Sequence, residues 1–512
     1  MGQPIVSWVA HHAARSPDKV ALVDLHRGRE LAYGELARRI RALAASLAER
    51  YGVGPGDRVA LLSRNDARSF EVLYACALLG AITVPLNWRL TGAELTAVSR
   101  DAEPAVMVHE SWIATVAAEV ARGAGVGATI VWASEDGDPD TYEELASASI
   151  PAGWTPADVD EDSVWTIIYT SGTTGLPKGV QATHRGMVSS MLGILVAHGV
   201  SCDSRCLTVL PLFHVAGLNL FANPVLYAGG TVMVARTFDA AQTLTLLTEA
   251  SAPVSHFCGV PANYQFMEQL PEFGDAPLRA FVAAVGGSPV PAALVESWAR
   301  RGVALTTVYG ITEAGACVTA MPPGQELAHT GSVGLPLLYS RCRIRTMDGR
   351  PCEPGENGEL QLAGPLVTPG YWRNPAATAT AFTSDGWLHT GDVATMTSDG
   401  HVLLVDRSKD MYISGGENVY PAEVENALHA HPAVSQAAVV GAPHPRWGEA
   451  GIAFVVLARG AGATSEELRA WCRSRLAAYK VPVRVELVGE LPRNATGKIL
   501  KDPLRESVRN SA

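Results

Sequence analysis

Short apolar runs alternate with amphipathic stretches along the first 330 residues of the chain. The runs lie at residues 59–62, 82–85, 106–109, 129–132, 254–260, 280–285 and 305–308. A helical pattern over about residues 67–79 separates the first two runs. Apolar runs that alternate in this way with helical stretches are typical of α/β layers built on a mostly parallel sheet.

From Val333 onward the pattern changes to short strands and turns, as in MDGRPCEPGENGELQLAG and SDGHVLLVD. This pattern predicts a small β-barrel-like part that completes a large N-terminal domain of layered α/β subdomains.

The last hundred residues form an α+β set. Helical stretches are expected at about residues 420–432 and 464–477, with strands at 434–440 and 452–458. The second helix opens with Thr464 and Glu467, which have the spacing of a capping box. We place the boundary near residues 406–407, which gives an N-terminal domain over 1–405 and a small C-terminal domain over 406–512.

The stretch from residue 209 to residue 235 has no charged side chain and resembles a membrane span in its hydrophobicity. It is interrupted by Pro211, Gly217, Pro224 and the pair Gly229 and Gly230. A spanning helix must satisfy its backbone hydrogen bonds internally, and these residues prevent that. We therefore expect no transmembrane segment here and interpret the stretch as buried core or pocket wall.

The bulk composition excludes some classes of partner. The chain has 512 residues, 47% of them hydrophobic, and a formal net charge of −11, which argues against nucleic acid and anionic membrane surfaces. Residues 407–512 hold 14 Lys and Arg against 11 Asp and Glu, which leaves 26 against 40 upstream. A mildly basic C-terminal domain suits anionic small molecules, although chance and solubility explain the same imbalance. No pattern in the sequence specifies an oligomeric state.

The eight cysteines are scattered, and only Cys202 and Cys206 lie close together. No partner pair and no histidine cluster completes a zinc set. We expect reduced thiols and a cytoplasmic location. The N-terminus lacks a signal-peptide pattern, and Val6 stands where myristoylation requires Ser or Thr.

The segment YTSGTTGLPKGV, residues 169–180, combines small hydroxyl residues, glycines and Lys178 directly after an apolar run. Such a loop leaves backbone N–H groups free to surround an anion, and the lysine suits a polyphosphate. A Walker A loop has a Lys-Ser or Lys-Thr pair directly after a glycine, whereas Lys178 follows Gly175 by three residues. The segment therefore predicts a phosphate-binding loop of a different kind.

Eight collinear segments together resemble the adenylate-forming superfamily of acyl-CoA synthetases, nonribosomal peptide adenylation domains and luciferases. They are YTSGTTGLPKGV, PLFHVAGL, GGSPVP, VYGITEAG, GYWRNPAAT, GWLHTGDVA, DRSKDMYISGGENVYPAEVE and PRNATGKILK. The resemblance extends over about residues 31–504, and one glycine loop alone would be a weak signal. It implies ATP, Mg²⁺ and CoA as cofactors or co-substrates, and a small-molecule carboxylic acid as the other partner.

The resemblance implies specific residues for ATP. The phosphates would be bound by Thr170, Ser171, Gly172, Thr173, Thr174 and Lys178. The adenine and α-phosphate would contact Gly287, Ser288, Pro289, Tyr309, Gly310, Ile311 and Thr312. Asp392 would accept the ribose hydroxyls as a charge-assisted pair, assisted by Arg407. Glu313 offers a hard oxygen to Mg²⁺.

Lys498 would be catalytic together with Thr312, Glu313 and His214. In the family this lysine brings positive charge to the α-phosphate and the attacking carboxylate, which favours the transition state over the ground state. The resemblance also implies that the C-terminal domain is mobile and rotates about Lys409 after pyrophosphate leaves. Rotation would bring Gly415 and Gly416 to the thiol tunnel.

His214 occupies the position where amino-acid-activating domains usually have an Asp for the α-ammonium. A neutral imidazole gives that cation no partner, so the resemblance implies an acid without an α-amine. Phe266 stands where malonate-activating relatives use Arg, which leaves a second carboxylate unsupported. The predicted acid pocket is apolar and suits an aliphatic or aromatic acid. It comprises Phe213, His214, Val215, Asn219, Phe257, Gly259, Tyr264, Gly286, Ile311 and Ala316.

For CoA, the resemblance implies Arg89 as a phosphate contact and Trp447 and Tyr479 as aromatic contacts to the nucleotide. Val481 departs from a second Arg found in some relatives, and Lys480 is an alternative contact. Ala363 stands where Arg is common.

We predict an AMP-forming acid–CoA ligase, closest to fatty acyl-CoA or aryl-CoA ligases. The alternative is a stand-alone adenylation enzyme that loads the phosphopantetheine of a carrier protein, since both acceptors share the pantetheine arm. Luciferase-like oxidation and a catalytically silent sensor are disfavoured, the latter because Thr312, Glu313, Asp392, Arg407 and Lys498 are all present.

Overall fold

The computed structural model describes residues 7–135, 137–170, 177–346, 348–407, 410–414, 417–445, 447–494 and 498–510. In these ranges, no helix has the length and apolar character that a membrane crossing needs. All eight cysteines are free thiols.

The first 336 residues contain fifteen strands within the described ranges. They are β1 Val20–Asp24, β2 Arg29–Ala32, β3 Arg58–Leu62, β4 Ile82–Leu86, β5 Val106–Glu110, β6 Ala128–Trp132, β7 Val164–Thr170, β8 Lys178–Thr183, β9 Arg205–Thr208, β10 Thr231–Val234, β11 His256–Gly259, β12 Val282–Gly286, β13 Leu305–Tyr309, β14 Thr319–Ala320 and β15 Leu335–Pro336. The seven runs predicted from apolar pattern correspond to β3, β4, β5, β6, β11, β12 and β13.

Twelve α-helices and three short 3-10 helices connect these strands in the described residues. The α-helices are α1 Ser7–Arg15, α2 Tyr33–Tyr51, α3 Arg68–Leu79, α4 Gly92–Ala102, α5 Ala114–Ala124, α6 Thr141–Ala146, α7 His184–His198, α8 Val215–Asn219, α9 Ala222–Ala228, α10 Ala240–Thr248, α11 Pro261–Glu268 and α12 Ala292–Arg300. The 3-10 helices are Ser111–Ile113, Pro271–Gly274 and Thr312–Ala314.

Two sheets organise this part of the chain. One has nine strands in the order β15-β14-β13-β12-β11-β9-β10-β1-β2, and the other has six in the order β6-β5-β3-β4-β7-β8. Neighbours from β13 to β1 and from β6 to β7 are parallel, while the outer pairs are antiparallel. Both sheets contribute to one apolar core, with Leu22 and Val232 from the first and Val59 and Val106 from the second. The mostly parallel layered architecture is as predicted.

The small β part is an antiparallel four-stranded sheet, in the order β16-β17-β18-β19. Its strands are β16 Arg341–Arg345, β17 Gly358–Ala363, β18 Leu388–Met396 and β19 Val402–Arg407, with α13 Pro375–Ala381 before β18. Leu360, Leu362 and Leu388 of this sheet share an apolar cluster with Tyr309 and Ala314. The sheet is therefore packed directly against the segment that follows β13.

The C-terminal part has its own five-stranded sheet. Its elements are β20 Tyr412–Ser414, β21 Glu417–Val419, α14 Pro421–His429, β22 Val434–His444, β23 Gly448–Leu457, α15 Ser465–Arg473, the 3-10 helix Ala478–Lys480, β24 Arg484–Leu487 and α16 Lys501–Asn510. The predicted capping box is present, because Glu467 N donates to Thr464 Oγ1 and Thr464 N donates to a Glu467 carboxylate oxygen.

Both faces of the long β22–β23 hairpin are covered. Ala437 and Val439 pack with α14 and α15 on one face, whereas Ala438 and Val440 pack with α16 on the other. This explains why the two strands read as continuous apolar runs. The strand β19 ends at Arg407, so the division of the chain at residues 405 and 406, which falls inside this strand, stays a prediction.

Candidate active site

Two neighbouring parallel strands end side by side and open the site. In the β12–β13 pair, Gly286 lies opposite Val308. A Cβ on Gly286 would lie 2.5 Å from the carbonyl oxygen of Val308, so this position requires glycine. Gly287 follows with φ of +79°, which turns the chain outward at the carboxyl end of the strand. Ligands of open α/β sheets bind at such strand ends.

Tyr309, the last residue of β13, connects this edge to the small β sheet. Its buried hydroxyl donates a hydrogen bond to Oδ2 of Asp392 on β18 at 2.6 Å. Burial, followed by the nearby carboxylate, raises the pKa of Tyr309, so the phenol keeps its proton. Asp392 in turn is oriented by its own N–H, which donates to Thr390 Oγ1 at 3.0 Å. The predicted adenine residue and the predicted ribose residue are therefore in direct contact.

The segment after Tyr309 is tightly folded. A Cβ on Gly310 would collide with the carbonyl oxygen of Ala316, and Ala316 itself has φ of 98°. Thr312 and Glu313 lie in the 3-10 helix that follows, and both are half-buried. Ser190 of α7 donates from its hydroxyl to the Gly315 carbonyl at 2.9 Å, which anchors the turn from the other side.

Glu313 is held by a residue that the sequence reasoning did not select. The Tyr371 hydroxyl donates to Glu313 Oε1 at 2.9 Å, and Lys178 Nζ lies 5.1 Å from the centroid of the Tyr371 ring. Burial, followed by the Glu313 charge, raises the pKa of Tyr371. The sequence does contain a signal for Tyr371, because this residue lies within the GYWRNPAAT segment on which the family resemblance partly rests.

The predicted phosphate-binding loop lies between β7 and β8. Thr170 pairs with Lys178 at the end of this hairpin that is nearest the loop. The predicted contacts Ser171, Gly172, Thr173 and Thr174 lie outside the described residues. Residues 370–372 run alongside β8, since Gln181 N donates to Gly370 O at 3.2 Å and Trp372 N donates to Gly179 O at 2.7 Å. The hairpin that carries Lys178 is thereby fixed to Tyr371.

His214 stands at the N-terminus of α8, where its Nδ1 accepts a hydrogen bond from Ala216 N at 3.3 Å. We assign the ring proton to Nε2 on this basis. Burial, with a contribution from the positive charge of Lys498, lowers the pKa of His214 to about 4. The imidazole is therefore neutral near pH 7, as the sequence argument assumed.

Lys498 is brought to this site from the C-terminal part of the chain. Lys498 N donates to Asn494 Oδ1 at 2.9 Å, Asn494 N donates to Lys498 O at 2.8 Å, and Arg493 pairs with Ile499. These bonds close the chain on both sides of residues 495–497, which lie outside the described part. The charge of Lys498 contributes, after burial, to the lowered pKa of His214, which places Lys498 within electrostatic range of the predicted acid pocket.

The remaining acid-pocket residues differ in their surroundings. Asn219 is buried, and its Oδ1 accepts from Asn223 Nδ2 at 2.8 Å, while Tyr74 donates to Asn223 Oδ1 at 2.8 Å. Tyr264 is fully buried, and its hydroxyl donates to Ala284 O at 2.8 Å. With its hydroxyl satisfied by backbone, Tyr264 is suited to supporting the pocket wall from behind.

The other pocket residues lie in three segments. Phe213 and Val215 flank His214 and are buried, Phe257 and Gly259 belong to β11, and Ile311 and Ala316 belong to the turn after β13.

The predicted CoA contacts are on the surface. The Arg89 guanidinium lies 4.7 Å from the centroid of the Trp88 ring, and Trp447 and Tyr479 are exposed. Ser414 pairs with Gly448, which brings the strand before the predicted glycine turn beside the residue after Trp447. Gly415, Gly416 and Lys409 lie outside the described residues, as does the side chain of Arg407. Lys480 Nζ is 2.6 Å from Glu423 Oε1, so it is paired within its own domain.

The site therefore combines the hydrogen-bonded pair of Tyr309 and Asp392 with the Glu313 carboxylate, which Tyr371 holds near Lys178. The neutral His214 and, from the C-terminal part, Lys498 complete it. Such a set can bind a nucleoside polyphosphate and stabilise negative charge where two anions meet.

Comparison with known proteins agrees with this chemistry. The model of the AMP-binding enzyme family matches residues 9–372, and the model of the AMP-binding enzyme C-terminal domain matches residues 423–498. The chain belongs to the AMP-binding enzyme family, and the predicted adenylate-forming superfamily is confirmed.

Particular relatives cover nearly the whole chain. A feruloyl-CoA synthase from an Amycolatopsis species is 41% identical over 98% of this chain and 99% of its own length. An indoleacetate–CoA ligase from Aromatoleum aromaticum is 36% identical over 98% of this chain and 97% of its own. The solved o-succinylbenzoate CoA synthetase from Bacillus subtilis, in complex with its acyl-adenylate intermediate, has a TM-score of 0.85 and 31% identity, with 98% of each chain covered. The fold class predicted from the sequence is confirmed.

Proposed function

We propose that the protein is an ATP-dependent, AMP-forming acid–CoA ligase that activates a hydrophobic carboxylic acid without an α-amine. An acid–thiol ligase is the enzyme class that its named relatives share. The observation that carries the proposal is the hydrogen bond between Tyr309 and Asp392, because it joins the predicted adenine and ribose contacts in a chain that CoA-ligase relatives match over nearly its whole length.

The reaction has two steps. In the first, a carboxylate oxygen attacks the α-phosphorus of ATP, the bond to pyrophosphate breaks, and acyl-AMP forms. In the second, the sulfur of CoA attacks the acyl carbon, the bond to AMP breaks, and the thiol proton is released. Both substrates of the first step are anions, so a cation held beside them lowers the barrier. Lys498 supplies this cation.

The N-terminal residues bind and orient the nucleotide. Tyr309 offers a ring face to the adenine, and Asp392 accepts the ribose hydroxyls while Tyr309 fixes one of its oxygens. Thr312 donates to the α-phosphate, and Lys178 faces the other phosphates from the loop that Tyr371 supports.

Glu313 fits a magnesium ion. Its carboxylate oxygens are hard ligands, and the Tyr371 hydroxyl fixes one of them by a 2.9 Å hydrogen bond. When bound, Mg²⁺ neutralises part of the phosphate charge.

The neutral His214 supports the choice of acid. A substrate α-ammonium beside it would lose its hydration without gaining a negative partner. Aromatic acids are favoured over aliphatic ones, because the relatives named above act on feruloyl and indoleacetate groups.

Pyrophosphate release tests this proposal with a matched pair of acids. The purified enzyme is given ATP, Mg²⁺ and either 3-phenylpropanoate or L-phenylalanine, which differ in the α-ammonium alone. We expect turnover to favour 3-phenylpropanoate by about 10² or more. Equal turnover, or preference for the amino acid, would contradict the choice of acid. Ferulate, indoleacetate and a medium-chain fatty acid complete the panel.

The acceptor is tested separately with the best acid. Thioester formation is compared for free CoA and for a phosphopantetheine-bearing carrier protein at equal concentration. We expect free CoA to be used, and the outer contacts Arg89, Trp447 and Tyr479 are the residues that would bind its nucleotide. Exclusive use of the carrier protein would favour the stand-alone adenylation enzyme.

A further inference from the structure

Two histidines and one aspartate converge on the side of the small β sheet, outside the site described above. His329, Asp399 and His401 each offer one metal-ligating atom, and these three atoms lie within 4.8 Å of one another. Asp399 and His401 belong to the turn between β18 and β19, whereas His329 lies in the segment between β14 and β15. Seventy residues separate His329 from Asp399 in sequence, so no motif spacing reveals the cluster.

Backbone hydrogen bonds hold the two segments together. Val333 N donates to Val402 O at 2.8 Å, Val402 N donates to Gly334 O at 2.9 Å, and Ser332 Oγ donates to Val402 O at 2.8 Å. The turn is also closed, since His401 N donates to Thr397 Oγ1 at 2.9 Å. The side chains of the cluster therefore rise from a scaffold that exists without any ligand.

His401 has a buried nitrogen with no hydrogen-bond partner among the described residues. The residue is 3% exposed, and its Nε2 lies 3.0 Å from Gln325 Oε1. Because an amide oxygen only accepts, we assign the ring proton to Nε2, which leaves a lone pair on Nδ1. Nδ1 lies 3.2 Å from Asp399 Oδ2, within the distance of an ion pair, so this nitrogen and this carboxylate oxygen face each other.

His329 offers the third donor. Its Nε2 lies 3.8 Å from the same Asp399 oxygen, and its ring stacks on His401 with centroids 3.7 Å apart and planes 6° apart. Tetrahedral ligands at bond lengths of about 2.0–2.2 Å lie about 3.3–3.6 Å from one another, which is between the two measured separations. His329 is partly exposed, and its ring would have to turn out of the stack to direct its lone pair at a shared ion.

We propose that His329, Asp399 and His401 form a binding site for a divalent transition metal ion of the Zn²⁺ type, with water as the fourth ligand. Two imidazoles and one carboxylate suit such an ion, whereas Mg²⁺ and Ca²⁺ prefer sites made of oxygen atoms alone. The ion would lie between His401 Nδ1 and Asp399 Oδ2, which face each other in its absence. It links the segment before β15 to the β18–β19 turn, and Gln325 orients His401 as an outer partner.

Metal binding to the untagged, chelator-treated full-length protein tests the proposal. Zn²⁺ binding is followed by calorimetry, and Co²⁺ is used as a spectroscopic probe of coordination. We expect one equivalent of either ion per chain. His329→Gln and Asp399→Asn, both at partly exposed positions, should weaken binding by more than the roughly 10–100-fold cost of losing an outer partner. Gln325→Ala should weaken it by about 10–100-fold.

His26→Gln is the matched control. His26 Nε2 lies 3.9 Å from Glu135 Oε1, which makes a partly exposed histidine–carboxylate pair without a third ligand in the described chain. This variant should bind Zn²⁺ as the parent does. Absence of Zn²⁺ and Co²⁺ binding by the parent, or unchanged binding by both His329→Gln and Asp399→Asn, overturns the proposal.

Thermal unfolding gives a second readout that is independent of catalysis. Zn²⁺ should raise the unfolding temperature of the parent and of His26→Gln, because a ligand that binds the native state stabilises it. It should leave that of His329→Gln and Asp399→Asn unchanged. An equal shift in all four proteins would refute a site at these residues.

Discussion

The two halves of the candidate active site are held in very different ways. Tyr309 and Asp392 are buried, hydrogen-bonded to each other and packed into a core that joins two sheets. Lys498 lies in the C-terminal part, where its backbone N–H and carbonyl form hydrogen bonds with Asn494.

This difference matches the proposed chemistry. Nucleotide-binding groups are needed throughout the reaction and gain from a rigid, desolvated setting. A lysine that is needed for the first step alone gains from a support that can move away, because the thiol must then reach the same carbonyl. If this is so, changes near Tyr309 and Asp392 should affect nucleotide binding, whereas changes at Lys498 should affect the rate of the first step alone.

Replacing Lys498 should have the largest effect on the reaction rate. Lys498→Ala should slow acyl-adenylate formation by about 10²–10³, since a charge that stabilises the transition state is lost. Thioester formation from preformed acyl-AMP should remain close to that of the parent. Single-turnover assays of both half-reactions measure the two rates.

Lys501→Ala is the control for Lys498→Ala, because Lys501 Nζ pairs with Glu425 at 2.8 Å within the C-terminal part. It should form acyl-adenylate at nearly the parent rate. Equal loss in both half-reactions of Lys498→Ala would contradict the division of labour.

On the rigid side, Tyr371→Phe should reduce kcat/KM for ATP by roughly 10–100-fold. The variant loses the hydrogen bond that Tyr371 donates to Glu313, and a bond to a charged group contributes about 1.5–3 kcal/mol. KM for CoA should be unchanged. Steady-state kinetics with ATP, Mg²⁺ and CoA varied in turn measure this, and Tyr339→Phe, at an exposed tyrosine, serves as the control. A larger effect on CoA than on ATP would argue against a nucleotide role for Tyr371.

A buried histidine in the N-terminal part should also make the free energy of unfolding depend on pH. Burial lowers the pKa of His184, whose ring lies beside Trp165 with centroids 6.0 Å apart, to about 4. Between pH 6.5 and pH 4 the unfolded chain therefore binds more protons at this residue than the native chain, so stability falls as the pH falls through this range. At pH 5 this residue alone lowers the free energy of unfolding by about 2 kcal/mol.

His184→Phe keeps an aromatic ring beside Trp165 and removes two buried nitrogens that have no partner among the described residues. Urea unfolding at pH 7.5 and pH 5 should show a smaller loss of stability for the variant than for the parent. His389→Phe, at an exposed position, should lose as much stability between pH 7.5 and pH 5 as the parent does. A parent whose stability is the same at both pH values would contradict the interpretation.

The hinge expected from the sequence should give the smallest effect. Lys409→Pro should slow the thiol-dependent step by about tenfold relative to adenylation, because proline fixes φ and a strained backbone residue costs on the order of 1–3 kcal/mol. Lys409→Ala should be close to the parent in both steps. Comparison of adenylation and thiolation rates checks this, and equal impairment of both steps would count against rotation about this residue.

Much of the architecture could be predicted from the sequence, because apolar periodicity reports local structure. The runs that became β3, β4 and β13 were each predicted to within about one residue, and the Thr464 capping box formed as expected. Family membership was likewise accessible, since the glycine loop and the YGITE and HTGD segments are contiguous in the chain.

Contacts between distant segments were not accessible from pattern. Tyr371 bridges Glu313 and Lys178 although 58 residues separate it from Glu313. No histidine cluster that completes a zinc set is visible along the sequence, yet folding brings His329 beside Asp399 and His401.

By itself, then, the sequence determined the order of the layers and the family, because both depend on residues that are neighbours in the chain. Only the tertiary structure decided which side chains meet, such as Tyr309 with Asp392 and Tyr371 with Glu313. The physical reason is that the packing of separate sheets, and not local periodicity, sets the distances across which hydrogen bonds and charges act.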